Sequence, residues 1–274
     1  MIIKNCLKFP ECEYIVHFPI FDITTKYIYD AYNSEYEKLC ILLDFCKKIN
    51  SKALIMHRCF AFNQEIDKTL AEEKFLDEVV KWNQMVKGSD IKVLIENYGF
   101  VWLPDGFGIE YISSPLDHFF PWDIIEFHKN ITELNLSNIG ILLDIAHAVL
   151  SANMFNMIQR YPELRNDRRF KNICDDDLKK KDSLRVEDFI IDIINYFHIS
   201  DSLIWTEEDG ISSLKKFLYT ENLPIGHGNI NYSEIFKDIS GNKVMIMEIN
   251  SENGSHINNI SQLKAVEFFR SHYN

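Results

Sequence analysis

Gly140-Ile-Leu-Leu-Asp144 runs directly into Ile145-Ala-His-Ala-Val-Leu-Ser-Ala-Asn-Met-Phe-Asn-Met-Ile-Gln159, and the reading of this stretch decides the fold. A short run that is apolar on both sides ends in an acid, and a helix is expected from about Ala146 to Gln159. Strands of that kind sit inside parallel sheets covered by helices. The unit recurs along the chain. Glu13-Tyr-Ile-Val-His17 precedes a helical pattern over 34–50 (Leu39, Leu42, Leu43, Cys46, Ile49). Ala53-Leu-Ile-Met-His57 precedes another over 65–87 (Ile66, Leu70, Phe75, Leu76, Val79, Val80). Lys92-Val-Leu-Ile-Glu96 is followed, after a long aromatic segment, by a helix through Asp123–His128. A helical Asp188–Ile194 delivers Tyr196-Phe-His-Ile-Ser200, and Val244-Met-Ile-Met-Glu248 leads to a closing helix over 258–272.

These are six clear strands. A seventh is expected near Leu223, within Leu223-Pro-Ile-Gly-His-Gly228, and an eighth around Ile2–Leu7 would complete a parallel barrel. The rival open, doubly wound sheet lacks its glycine-rich phosphate fingerprint after the first strand. No internal repeat appears. The expectation is a single α/β domain over 1–274, a TIM (β/α)8-type barrel of parallel strands with an irregular or truncated N-terminal βα unit. The charged stretch 162–185 lacks periodicity and reads as a solvated excursion. Residues 203–221 read as acidic and then helical.

Composition removes several classes. The 274 residues carry a formal net charge of −12 with 46% apolar content, so the chain can build a sizeable core and does not suit gripping a polyanion. No apolar run reaches the roughly 20 residues of a membrane span. Lys4, Pro10 and Glu11 interrupt any secretory signal core. The six cysteines are scattered without a CxxC pair, which reads as reduced thiols in a cytoplasmic protein.

The chemistry lies in what ends each strand: His17, His57, Glu96, Asp144, His198 and Glu248, with His147 three residues past Asp144. In a parallel barrel these ends converge on one face. Each has a bland reading of its own. A lone histidine closing a strand is commonly structural, and Asp144 is a natural N-cap for the helix that follows it. Together they need a shared partner, because buried carboxylates are costly without counter-charge. A bound cation meets that need, and mixed imidazole and carboxylate ligands suit Mn, Zn, Co or Fe better than Ca. Tyr98–Trp122 contains no Lys or Arg and is rich in aromatics, a functional-loop candidate that suits a neutral polyol better than phosphate.

Ile95-Glu96-Asn97, Leu143-Asp144-Ile-Ala-His147, His198-Ile-Ser-Asp201-Ser202, Pro224-Ile-Gly-His-Gly-Asn-Ile230 and Met247-Glu248 follow one another in a specific order. In this the chain resembles the xylose-isomerase-like TIM barrels over residues 14–249, a group that includes sugar isomerases and epimerases and endonuclease IV-type AP endonucleases. The resemblance implies that Glu96, Asp144, His198 and Glu248 hold a divalent metal (Mn, Zn, Co or Fe). In the epimerase branch Glu96 and Glu248 would also be the catalytic acid/base pair, with His147 on a substrate hydroxyl. In the endonuclease branch His17 and His57 would join Glu96 on a second metal. A third metal there would take His147 and an Asp-x-His pair that this sequence lacks. The arginine that epimerases carry after the His198 strand is missing too. His17, His57, His147, Asp201 and His227 therefore stand as candidates for a second metal or for substrate.

The function expected is a divalent-metal-dependent isomerase or epimerase of a sugar, or of a sugar-like polyol or keto acid. The alternatives are an AP-endonuclease-like phosphodiesterase and a non-catalytic metal-pocket binding protein. A multi-iron oxygenase on the same barrel is a further enzyme reading. The partner expected is a small carbohydrate-like molecule, with nucleic acid disfavoured by charge and no membrane. A homo-oligomer is implied by the resemblance alone.

Overall fold

The computed structural model describes residues 11–18, 28–58, 67–99, 120–167, 170, 173–237, 239–250 and 260–272. Six strands form one all-parallel sheet in sequential order: β1 (Ile15–His17), β2 (Ala53–His57), β3 (Lys92–Glu96), β4 (Ile139–Asp144), β5 (Tyr196–Ile199) and β6 (Val244–Met247). Helices α1 (Ile28–Lys48), α2 (Lys68–Val86), α3 (Pro121–Glu133) and α4 (Ile145–Arg160) connect the first five. Short turns α5 (Asp175–Leu178), α6 (Leu214–Phe217) and α7 (Tyr232–Ile235) follow, and α8 (Ile260–His272) closes the described chain.

The sheet is curled. At about 4.8 Å per strand, β1 and β5 would stand about 19 Å apart in a flat sheet. The rings of His17, the last residue of β1, and His198, the last but one of β5, instead stack with centroids 5.7 Å apart. Strand periodicity then sorts the side chains. Leu54, Met56, Val93, Ile95, Leu143, Phe197 and Ile199 face the helices and join the main core. Ile15, Ala53, Ile55, Leu94, Leu142, Tyr196 and Ile246 cluster on the inner face. Two residues further along each strand, the inner row continues as His17, His57, Glu96, Asp144, His198 and Glu248. The same alternation that fills the half-barrel with aliphatic side chains therefore ends it with ionisable ones.

Helix α4 is covered all round: from Ile145 to Ile158 every residue but Asn156 is buried, the polar His147, Ser151 and Asn153 included. Its cover includes part of the stretch 162–185, most of whose described charges are exposed, as the composition suggests, while a few residues pin it to the body of the fold. Ile173 and Leu184 are buried, and Asn156 exchanges two 2.8 Å hydrogen bonds with the Leu184 backbone. Asp177 accepts from Lys68 Nζ (2.8 Å) and from the Trp122 indole (2.8 Å), which ties the stretch to α2 and α3. Among the described residues of the stretch, Asp177 is the one buried acid, and it pins the chain together with the buried Phe170, Ile173 and Leu184.

Other sequence expectations shift as well. Asp188–Ile194 is a 3-10 turn (Val186–Phe189) followed by irregular chain, and 203–221 holds two 3-10 turns before α6. The strand expected at Leu223 is an isolated antiparallel bridge to Asp201. Ile2–Leu7 and most of the aromatic segment lie outside the described residues. Cys12, Cys40, Cys46 and Cys174 are free thiols, and no described helix is long and apolar enough to cross a membrane.

Asp201 organises the turn after β5. Its Oδ2 accepts from the amides of Gly226 (2.8 Å) and Gly228 (2.9 Å), and its Oδ1 from those of Ser202 (3.0 Å) and Ile230 (3.3 Å). A Cβ at Gly228 would fall 2.1 Å from the Ser202 carbonyl, so no other residue fits there. Asp201→Ala strands these amides, and urea titration should register a loss of about 2–4 kcal/mol. Unchanged stability would mean that the turn is held by something else.

Candidate metal centre

Glu96 is the hub. It ends β3 with no exposed surface, and both of its oxygens are engaged. Oε2 lies 3.1 Å from His17 Nε2 and 3.0 Å from His57 Nε2, while Oε1 lies 2.8 Å from His198 Nδ1. Burial alone would raise its pKa. The charges of His57 and His198 and the hydrogen bond from His17 overcome that and hold it well below the usual carboxylate range.

Asp144 divides its carboxylate. Oδ1 accepts the His147 amide at 2.7 Å and so caps α4, as the N-cap reading expects. Oδ2 is buried with no hydrogen-bond partner, 3.7 Å from His198 Nδ1. Burial, reinforced by the nearby charges of Glu248 and Glu96, pushes the Asp144 pKa up to about 7 against the pull of His147 and His198. Glu248, just past β6, brings its own unpartnered Oε2 within 2.5 Å of the same nitrogen. Burial opposes the imidazolium of His198, yet Glu96 and Glu248 raise its pKa to about 10.

Three carboxylate oxygens thus crowd one imidazole nitrogen that has a single proton to give. It serves Glu96 Oε1, which leaves Glu248 Oε2 and Asp144 Oδ2 orphaned. Atoms from Glu96, Asp144, His198 and Glu248 all lie within 4.8 Å of one another. Ligands about 2.1 Å from a common ion sit about 3–4 Å apart, so this donor set fits a divalent cation. His17, Glu96 and His198 form a second such group.

Around this centre stand Asn97, from the Ile95-Glu96-Asn97 motif, Tyr98 and Gly99, from the aromatic segment, and Glu221, which the sequence does not single out. The Asn97 side chain bridges the ends of β3 and β4, donating to the Asp144 carbonyl (3.0 Å) and accepting from the Asp144 amide (2.6 Å). Its own carbonyl accepts from His147 Nδ1 at 2.8 Å. Gly99 packs flat on α4, where an added Cβ would meet His147 Cα at 2.9 Å. Tyr98 sits edge-on to His57 (5.3 Å between centroids) and beside His147 (5.2 Å). Glu221 brings Oε2 to 3.3 Å from His147 Nε2. Nothing in its sequence neighbourhood marks Glu221. Burial lowers the tendency of His147 to protonate, but Asp144, Glu221 and Glu96 outweigh it and raise its pKa well above the usual value.

The structure brings His17, His57, Glu96, Asp144, His147, His198 and Glu248 together. It does not bring in Asp201, whose oxygens serve backbone amides, or His227, which is exposed on the turn.

Comparison with known proteins is consistent with this architecture. Residues 31–272 match the family model described as xylose isomerase-like TIM barrel. No curated protein matches the chain. Among solved structures, a D-tagatose 3-epimerase-like protein superposes with TM-score 0.56 at 18% identity, covering 98% of this chain and 81% of that one. The IOLI protein with a bound zinc atom gives 0.55 at 12%, covering 100% and 84%. An AP endonuclease, family 2, from Brucella melitensis gives 0.52 at 10%, covering 99% and 84%.

The crowded oxygens make a thermal prediction. Mn2+, Co2+ or Zn2+ at about 100 times its dissociation constant should add about 2.7 kcal/mol of stability, several degrees in melting temperature. Asp144→Asn and His198→Ala should each suppress the shift in a melting titration. A shift of full size in both variants would locate the ion elsewhere.

Proposed function

Because this chain belongs to the xylose isomerase-like TIM barrel family and gathers carboxylates and imidazoles at its strand ends, we propose that it is a divalent-metal-dependent isomerase or epimerase of a sugar or sugar-like polyol or keto acid. The observation that carries this reading is the unlike pair of glutamates on either side of His198. Glu96 is fully buried and locked by imidazoles, whereas the Glu248 side chain is 38% exposed. Such a pair suits acid/base work, one carboxylate open to substrate and one backed by proton donors.

Glu96, Asp144, His198 and Glu248 would hold the cation. A divalent ion there supplies Lewis-acid stabilisation of the negative charge that develops on a carbonyl oxygen when the adjacent carbon loses its proton. Glu248 removes that proton, and its exposed carboxylate is the one substrate can reach. Glu96, an anion at rest, would be the second carboxylate of the pair, passing on a proton that it takes at Oε2 from His17 during the reaction. Two carboxylates serving opposite faces of one carbon invert it, which is epimerisation. One carboxylate carrying the proton to the neighbouring carbon isomerises instead. His147 is the candidate for a substrate hydroxyl. The epimerase-like and zinc-bound neighbours support this reading of the same fold.

One observation favours a second reading. His17 and His57 share Glu96 Oε2, the arrangement a second metal of an AP-endonuclease-like phosphodiesterase would use. The net charge of −12 and the lack of an Asp-x-His pair speak against it.

Two assays separate these. Elemental mass spectrometry of protein purified without chelators should find about one Mn, Co, Zn or Fe per chain, by the four-residue set. Two or three would favour the phosphodiesterase, tested by cleavage of an abasic-site duplex, and none even after add-back would favour the non-catalytic pocket. In the isomerase reading, Glu96→Gln and Glu248→Gln should each cut ketose interconversion by about 10²–10⁴. Full activity in either variant removes that residue from proton transfer.

A further inference from the structure

Strand β3 stops at Glu96, while β4 runs on to Asp144, two residues past Leu142, the register partner of Glu96. The chain leaves the sheet there because it turns onto α4. Gly99 lies so close to that helix that an added Cβ would meet the His147 carbonyl oxygen at 3.0 Å. Asp144 still pairs with His198 in the β4–β5 register, but its own N–H and C=O are directed to the other side, beyond the end of β3. Buried backbone groups in that position need other partners. The Asn97 side chain supplies both. Its Oδ1 accepts the Asp144 amide at 2.6 Å, and its Nδ2 donates to the Asp144 carbonyl at 3.0 Å. One primary amide stands in for a peptide group and carries the β3–β4 pairing a step further.

That extra step fixes a distance between charges. Glu96 is the chain neighbour of Asn97, and Asp144 is bonded to its side chain, so a single buried residue joins the two carboxylates. Their ligand atoms lie within 4.8 Å of each other, and like charges that close push apart. Asp144 Oδ1 is committed to the His147 amide, so the placement of the Asp144 backbone decides where Oδ2 falls. The Asn97 main chain secures the other flank, its carbonyl accepting from His147 Nδ1 at 2.8 Å. Asn138 offers a matched case at the opposite end of the same two strands. Its side chain donates to the carbonyls of Ser89 (3.2 Å) and Ile91 (3.0 Å), far from the strand-end carboxylates.

We propose that Asn97 is a positioning residue whose side-chain amide holds Asp144 in the cation shell, fixing the gap between Glu96 and Asp144 against their repulsion. The proposal rests on the metal reading of this centre and assigns a part in it to a residue that offers the ion no ligand. With the gap already set, no binding free energy goes into drawing the ligands together.

The test is a calorimetric Co2+ titration of the whole chain, with the visible d–d bands recorded in parallel and melting temperatures measured without metal. Asn97→Ala should lose about 10- to 100-fold in Co2+ affinity, the usual effect of removing a residue that orients a ligand. Its bands should change in position and intensity as Asp144 leaves the shell. Asn97→Ser should shift both readings in the same direction, and it carries the comparison if the alanine variant does not fold. Asn138→Ala should lower the melting temperature and leave Co2+ affinity and bands as in the wild type. Unchanged bands in the Asn97 variants would overturn the proposal whatever the affinity, since Asp144 would still be a ligand. An equal loss of affinity in Asn138→Ala would overturn it too, because general loosening of the β3–β4 pair would then be the cause. A wild-type chain that binds no Co2+ would remove the metal reading and the proposal with it, whereas equal binding by wild type and Asn97 variants removes the role of Asn97 alone.

Discussion

A carboxylate with no access to solvent, Glu96, sits where the strand ends converge, and the rest of the centre answers to it. Ionising such a group inside a protein costs several kcal/mol unless donors surround it. Three imidazoles do so, from β1, β2 and β5. They can reach it only because the sheet curls, since a flat sheet would hold β1 and β5 about 19 Å apart. Curl, strand register and the ionisation of one residue are therefore a single constraint seen at three scales.

The two sides of the centre are built differently. Toward β1 and β2, imidazoles and Glu96 satisfy one another, and that side is complete with protein atoms alone. Toward β4 and β6, Asp144 and Glu248 each leave an oxygen without a partner. The excess of lone pairs over protons is confined to the second side, and there the cation fits. The asymmetry also distinguishes the glutamates: one is held as an anion by its neighbours, and the other is half open to what enters the mouth.

Much of this was legible in the sequence because strands announce themselves locally. Ala53–His57 and Lys92–Glu96 match the expected runs residue for residue, and period two carries His57 and Glu96 onto the inner face without further information. Asp144 was legible twice over, as helix cap and as ligand, and it serves as the first while facing the second. What sequence could not supply were contacts made by irregular chain. Glu221 meets His147 across 74 positions because Asn222 adopts a left-handed conformation (φ 57°) and is gripped from two strand ends by Ser200 and Asn250, and neither fact has a periodic signature. Asp201 was misleading for the opposite reason: an acid in a motif-rich stretch looks like a ligand, yet its oxygens are consumed by four amides. The stretch 162–185 is exposed at most of its described charges, as composition implies, but the buried Asp177 that pins it has no signature in a charge count.

Asp144 also links the chemistry to the backbone. One of its oxygens caps α4, the most enclosed helix of the described chain, and the other faces the candidate metal centre. Charge drawn from Oδ2 is charge withdrawn from Oδ1, so the strength of the cap follows the state of the centre. The His147 amide is then an internal gauge. Its nuclear magnetic resonance shift and solvent exchange would report a cation at that position from within the core, with no substrate required.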